Sequence, residues 1–250
     1  MHSIKRKKQL TPLTFEFHIE APEVIRNARP GQFVVIRITE QGERIPLTIA
    51  DYDEHLVLVV QVVGGTTDEL SRLEEGDQIH DVCGPLGHPM EPKEGKTIAL
   101  IGGGCGIAAI YPEARELSKN NKVISIIGAR SSELLFWKEK MRSVSDELII
   151  YTDDGSEGRK GLVTDAVEGL QADEIIAIGP MPMMRAVSEA SDVKTTVSLN
   201  PIMIDGIGMC GACRVRVGDQ TRFTCVDGPE FDGHEVDWDM AMNRCKCEDD

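Results

Sequence analysis

Nowhere in this chain of 250 residues does an apolar run approach the roughly 18 residues that would suggest a membrane span. The N-terminus also lacks the apolar core of a signal peptide. A surplus of positive charge is missing as well: 27 basic against 42 acidic side chains leave a net charge of −15. A field of that sign repels nucleic acid and anionic lipid, which argues against either as a main partner. The local exception, Lys5-Arg6-Lys7-Lys8, reads as a solvated strand edge. Internal repeats and low-complexity tracts are absent. The expectation is a cytoplasmic protein with no membrane span and no nucleic-acid partner.

Cysteine is sparse over most of the chain and dense at its end. Of seven cysteines, Cys83 and Cys105 stand apart, while Cys210, Cys213, Cys225, Cys245 and Cys247 cluster. An odd, clustered set does not suit a disulfide framework. In a reducing cytosol such thiols bind metal or do redox chemistry.

Three zones differ in texture. Residues 1–94 read as all-β: runs at residues 33–38 and 56–63 are bounded by Pro30-Gly31, Gly64-Gly65 and Gly84-Pro85-Leu86-Gly87. Short strands at this spacing predict an antiparallel barrel or sandwich. Residues 95–198 alternate instead. Strand-like runs at 97–101, 123–127, 148–151 and 174–178 are separated by helical segments at about 107–120, 134–142 and 163–170. That rhythm predicts a parallel sheet wrapped by helices, an α/β unit. Residues 199–250 are rich in glycine and cysteine with little periodicity, so a third, small unit needs a staple.

Three motifs carry chemistry. The run at 97–101 opens into Gly102-Gly103-Gly104-Cys105-Gly106 and then Ile107. Glycines there let the backbone approach a ligand, and the following helix start offers free N–H groups to a pyrophosphate. A bare βα turn reads almost as well. Gly179-Pro180-Met181 marks a second strand end at the edge where open α/β sheets place ligands. The second motif is Arg44-Ile45-Pro46-Leu47-Thr48-Ile49 with Gln61-Val62-Val63-Gly64-Gly65-Thr66-Thr67. Pro46 marks a strand entry or edge. Thr48 can hydrogen-bond a flavin ring, and Thr66 and Thr67 can hold a diphosphate; ordinary β-turn chemistry explains the same residues. The third is Asp205-x4-Cys210-x2-Cys213-x11-Cys225, the plant-type [2Fe–2S] spacing with aspartate in the first cysteine's place. A structural zinc site is the alternative, but zinc sites usually pair two C-x2-C knuckles and here there is one. Cys245 or Cys247 is a further candidate for the fourth ligand.

Taken together these residues resemble the ferredoxin–NADP reductase superfamily. The likeness lies in the branch that holds the electron-transfer subunits of dihydroorotate dehydrogenase and the small subunits of NADH-dependent reduced ferredoxin:NADP oxidoreductases, also described as sulfide dehydrogenase subunits. The most specific signature is residues 198–205 running into 208–214 and 225–233. One aspartate with three cysteines favours the second group, because the dihydroorotate branch typically carries four cysteines.

The resemblance implies an FAD-binding barrel (1–94), an NAD(P)-binding α/β unit (95–198) and a [2Fe–2S] unit (199–250). It assigns FAD to Arg44, Pro46, Leu47, Thr48, Ile49, Gln61, Val62, Gly64, Thr66 and Thr67, although Ile45 occupies the family arginine's position and Arg44 lies one residue early. It assigns NAD(H) or NADP(H) to Gly102, Gly103, Gly104, Gly106, Ile107, Ala129, Arg130, Asp154, Gly179, Pro180 and Met181. Asp205, Cys210, Cys213 and Cys225 are the implied cluster ligands. No side chain is named as catalytic. The implied activity is electron transfer between NAD(P)H, FAD and the cluster, in a heterodimer or larger assembly with a larger iron–sulfur flavoprotein subunit, of a kind that includes bifurcating transhydrogenases. The rival readings are a dihydroorotate dehydrogenase electron-transfer subunit and a non-catalytic metal-stapled binding module.

Overall fold

The computed structural model describes residues 1–243; Cys245 and Cys247, the alternative fourth ligands, lie outside the described residues. The first unit is built from β1 (His2–Thr11), β2 (Thr14–Ile19), α1 (Pro22–Asn27), β3 (Phe33–Arg37), β4 (Arg44–Asp51), β5 (Leu56–Gln61), α2 (Gly65–Ser71), β6 (Gln78–Ile79) and β7 (Asp81–Leu86). Its antiparallel sheet runs β6-β1-β2-β5-β4-β3-β7. The two edge strands are separated in sequence by His80 alone, whose N–H donates to Ile38 O at 3.0 Å, so the sheet nearly closes into a barrel. Closure hides the edges that an open sheet would expose. Phe17, Ile19, Ile36, Leu56 and Leu58 fill the interior. The basic run at residues 5–8 lies in β1, where Lys7 Nζ donates to Ser71 O at 2.8 Å and pairs with Glu74.

The second unit follows as β8 (Thr97–Gly103), α3 (Gly106–Leu117), β9 (Lys122–Ala129), α4 (Lys138–Arg142), β10 (Glu147–Thr152), β11 (Arg159–Lys160), β12 (Glu174–Ile178), α5 (Met181–Ala190) and β13 (Lys194–Ser198). The strands are parallel in the order β11-β10-β9-β8-β12-β13. Between β8 and β12 the chain changes direction of winding, which opens a crevice above their carboxyl ends. Ile98, Leu100, Ile176 and the inner face of α3 make one core; Ile101, Ile126, Met184 and Val187 make the other.

Two helix expectations are corrected. Residues 134–142 do not form one helix: a 3-10 turn (Ser132–Leu134) is followed by extended chain, and α4 starts only after Trp137. Trp137 sits at φ 53, a left-handed conformation that interrupts the helix. It is held there because its indole N–H donates to Glu16 Oε2 of the barrel at 2.7 Å. Residues 163–170 give only a 3-10 turn (Val163–Ala166), and Gly169, at φ 76, turns the chain away.

The remaining chain holds β14 (Arg214–Val217), β15 (Gln220–Phe223), α6 (Thr224–Asp227), β16 (Glu230–Asp232) and α7 (Trp238–Asn243). β14 and β15 form a separate two-stranded sheet. β16 leaves it and pairs antiparallel with β13, with Ser198 opposite Glu230. The third unit is thereby stitched into the second sheet. Across the other junction, Asp51 of β4 accepts ion pairs from Arg115 of α3 and Lys140 of α4, each at 2.7 Å.

Candidate functional site

A cleft of about 390 Å³ opens between the barrel and the second unit. Residues Ile45, Pro46, Leu47 and Thr48 of β4, with Gln61 of β5, form one wall. The glycine loop, Ala108, Ala109 and Gly179-Pro180 form the other. Its far end is closed by Ser198, Leu199, Asn200, Met203 and Pro229.

The glycines shape this cleft in different ways. Gly104 adopts φ 55, and α3 starts two residues later. A Cβ on Gly106 would lie 1.8 Å from Ile178 O, so β12 can pass against the start of α3 only if residue 106 is glycine. A Cβ on Gly103 would meet Met183 Sδ at 2.4 Å. Gly102 and Ile107 do not line the cleft: Ile107 is fully buried, and a Cβ on Gly102 would meet Ile110 Cδ1 at 2.8 Å and the Ile107 backbone at 3.0 Å.

A second cleft, of about 520 Å³, runs from the same loop past Gly128, Ala129 and Arg130 to Asp153 and residues 162–164. Phe136 and Met183 wall it, and Thr11, Leu13 and Thr14 of the barrel form its rim. Gln61, Gly103, Gly104, Cys105 and Pro180 line both clefts, so the two meet there. Cys105 Sγ lies 3.7 Å from Gln61 Oε1 at the junction. Burial pushes this thiol up to about 11, which keeps it neutral and a poor nucleophile.

Several sequence-predicted residues sit elsewhere. Thr67 lines the first cleft, but its hydroxyl already accepts the Val63 and Gly64 N–H groups at 2.9 and 3.0 Å and donates to Gly64 O. Gly64 and Thr66 adjoin it outside the cleft, with Thr66 Oγ1 donating to Glu43 at 2.5 Å. The Val62 N–H donates to Leu13 O, and Ile49 is buried in the barrel core. Arg44 lines neither cleft; it borders a third hollow with Arg37, His80, Asp81 and Cys83, and this placement gives no support to its flavin assignment. The Asp154 carboxylate accepts the Ser156 N–H and hydroxyl at 2.9 and 2.6 Å, while Asp153 faces the second cleft. Met181 opens α5 and packs on the core beside the cleft-lining Pro180 and Pro182. Sequence reasoning did not name Phe136, Tyr151, Asp153, Met183 or Met203 as site residues; Met203 lies within the 198–205 signature, whereas nothing in the sequence around Phe136 marks it.

The loop after β13 carries Asp205, Cys210 and Cys213 of the proposed ligands, and α6 carries Cys225. Gly206, Gly208 and Gly211 take φ values of 74, 81 and 68, so the chain curls over itself. A Cβ on Gly206 would meet Leu86 Cδ1 at 2.7 Å, so the loop lies tight against the barrel. Asp205 accepts N–H groups from Ile207, at 2.9 Å, and from Cys210. Burial raises its pKa, but these donors outweigh that and hold the carboxyl below the usual range. Cys213 and Cys225 are buried with their sulfurs 3.2 Å apart, whereas Cys210 is exposed. Burial first, and then the adjacent Cys213 thiol, push Cys225 up to about 12. Two thiols this close cannot both ionise unless a cation joins them.

Among the described residues no three His, Cys, Asp or Glu side chains converge as a single metal ion requires. A two-iron cluster makes a different demand, two ligands at each iron. The four candidate donors lie in two pairs: Cys213 beside Cys225, and Asp205 hydrogen-bonded to the Cys210 N–H. Phe33, Val35 and Met203 share the buried cluster that holds Cys213 and Cys225, and Phe33 and Met203 also line the first cleft.

Comparisons with known proteins agree with this layout. Residues 200–237 match the model for the iron–sulfur cluster binding domain of dihydroorotate dehydrogenase B. A Thermotoga maritima protein described as a dihydroorotate dehydrogenase B (NAD(+)) electron transfer subunit homolog is 49% identical over 98% of this chain and 90% of its own length. The dihydroorotate dehydrogenase B (NAD(+)) electron transfer subunit of Fusobacterium nucleatum is 33% identical over 94% of this chain and 97% of its own length. A solved chain from work on flavin-based electron bifurcation in the NADH-dependent reduced ferredoxin-NADP oxidoreductase superposes with a TM-score of 0.93. It is 47% identical, over 98% of this chain and 92% of that one. With these identities along nearly the whole length of the relatives, the chain belongs to the dihydroorotate dehydrogenase B electron-transfer subunit family.

Proposed function

We propose that this chain is the electron-transfer subunit of a ferredoxin/NAD(P) oxidoreductase assembly, carrying electrons between a pyridine nucleotide, FAD and a [2Fe–2S] cluster. One observation carries the reading: the two clefts and the buried cysteine cluster adjoin in turn. The second cleft shares Gly103, Gly104 and Cys105 with the first, and the first shares Phe33 and Met203 with the packing around Cys213 and Cys225.

The functional units are residues 1–94, 95–198 and 199–250. In the first cleft Pro46, Leu47, Thr48 and Gln61 hold the flavin, with Thr67 and the turn at Gly64 and Thr66 at its diphosphate end. In the second, Gly103, Gly104, Ala129, Arg130 and Pro180 take NAD(H) or NADP(H), with Gly106 and Gly179 of the first cleft beside the junction. Asp205, Cys210, Cys213 and Cys225 hold the cluster. A flavin takes both electrons of a hydride and releases them singly, which is the conversion a one-electron cluster needs. The chain's own work is alignment: the Cys105–Gln61 junction brings the two clefts face to face, and the neutral Cys105 thiol leaves that meeting point uncharged. Phe33 and Met203 exclude water between the first cleft and the buried thiols.

Around the cluster loop Ile202, Ile204, Ile207 and Met209 are exposed, Met209 by 83%. An apolar rim beside an exposed ligand, Cys210, suits docking of a larger iron–sulfur flavoprotein subunit that exchanges electrons there. Among the described residues no helix is long and apolar enough to cross a membrane, and the cytoplasm is the proposed location. Asp205 in place of a fourth cysteine favours the ferredoxin/NAD(P) assembly over a dihydroorotate dehydrogenase. Purification of the native complex with cofactor analysis and mass spectrometry tests the choice. A larger iron–sulfur flavoprotein partner is expected; a dihydroorotate-oxidising partner would replace this reading with the rival.

A further inference from the structure

Glu113 lies in the middle of α3 with no solvent exposure, and neither of its carboxyl oxygens has a hydrogen-bond partner if every acid is ionised. Glu230, the first residue of β16, reaches it from the strand that returns from the cysteine loop, and its shielded Oε1 is likewise without a donor. An ionised carboxylate left in such a place is costly unless it is paired with a cation or neutralised. The charged groups facing the pair are few. From the segment between β7 and β8 come Lys93 and Glu91. Lys93 Nζ is already bound to Glu174 Oε2 at 2.5 Å, and Glu174 also accepts Lys96. From the barrel, the Gly31 backbone sits beside Glu230 Oε1, where a Cβ would stand 2.7 Å away. One committed lysine cannot balance two carboxylates. A single proton on Glu113, donated to Glu230, can.

The pair also occupies a meaningful place. Ala109, one helical turn before Glu113, lines the first cleft. Pro229, beside Glu230, lines it too, as does Ser198, which stands opposite Glu230 across the β13–β16 ladder. We propose that Glu113 and Glu230 share one proton at neutral pH, and that this proton fastens the strand returning from the cysteine loop to α3 directly behind the first cleft. They are positioning residues: they hold the wall made by Ser198 and Pro229 in register with Ala109 and touch no reacting atom.

The sign of the pH dependence follows. Burial, then repulsion from Glu230, raises Glu113 well above the usual carboxyl range, and burial raises Glu230. Between the ordinary carboxyl pKa and these raised values the folded chain binds more protons than the unfolded one. Stability therefore falls as pH rises through that window.

The test uses the full chain and needs no assumption about its cofactors. At neutral pH its infrared spectrum should contain a carboxylic-acid carbonyl absorption that disappears in Glu113→Gln. The unfolding temperature of the unaltered chain should fall relative to Glu113→Gln as pH rises above the ordinary carboxyl range, because the amide keeps the hydrogen bond and does not titrate. If Glu113→Gln fails to fold, Glu230→Gln should shift the carbonyl band by changing its acceptor. Absence of the band at neutral pH, parallel pH profiles, or an unshifted band in Glu230→Gln would each overturn the proposal.

Discussion

Met203 packs in the same buried cluster as Cys213 and at the same time lines the first cleft. It is 3% exposed and spans the gap between the proposed flavin site and the proposed cluster site. Met203→Ala should cost about 2–5 kcal/mol of stability, the usual range for truncating a buried methionine. It should also slow electron transfer to the cluster by admitting water, with nucleotide reduction of the flavin left near its original rate. Stopped-flow absorbance at the flavin and cluster wavelengths separates the two steps.

Cys213 and Cys225 face each other, while Asp205 stands with Cys210. Cys225→Ser or Asp205→Ala should reduce cluster iron from about two per chain towards none while FAD remains bound. Asp205→Cys should keep the iron and change the reduction potential, since thiolate is a softer donor than carboxylate. Iron analysis, flavin fluorescence after denaturation and a potentiometric titration provide the readouts.

The glycine loop allows a contrast. In Gly106→Ala the new Cβ would press on the Ile178 carbonyl, a backbone group that cannot give way, and a loss of about 3 kcal/mol or more is expected. In Gly103→Ala it would meet the far end of the Met183 side chain, which can move, so the cost should be about 1 kcal/mol. The displaced Met183 walls the second cleft, so weakened nucleotide binding should be the larger effect there. Chemical denaturation and nucleotide titration measure the two effects.

Acid should weaken the joint at Glu174. Burial raises this carboxyl, but Lys93 and Lys96 together outweigh it and hold the pKa below its usual value. A depressed acid contributes stability that is present above the unfolded pKa and is lost as pH falls through the folded one. Glu174→Gln should therefore cost about 1.5–3 kcal/mol at neutral pH, the range for hydrogen bonds to charged groups, and progressively less below about pH 4.5. Unfolding curves across that range measure the convergence.

Much of the architecture was legible because it is local. Alternating apolar runs and turn glycines mark the barrel strands, and Gly102-Gly103-Gly104 marks the end of β8. The spacing of Asp205, Cys210, Cys213 and Cys225 indicates a loop that must curl. What stayed hidden depends on distant partners. Trp137 breaks the expected helix because Glu16, far away in sequence, takes its N–H. Asp153 rather than Asp154 faces the second cleft because Ser156 captures its neighbour. Arg44 sits in a motif-like position, yet Ile45 is the residue that lines the cleft. Glu113 carries no motif; it acquires a partner only because β16 crosses to the second sheet.

The most direct test of the electron route is anaerobic rapid mixing of the purified holo-chain with NADH, and separately with NADPH, followed at flavin and cluster wavelengths. The expected result is flavin bleaching by at least one nucleotide, followed by bleaching of the cluster absorption. Failure of both nucleotides to bleach the flavin, or a colourless protein that contains zinc and no flavin, would contradict it.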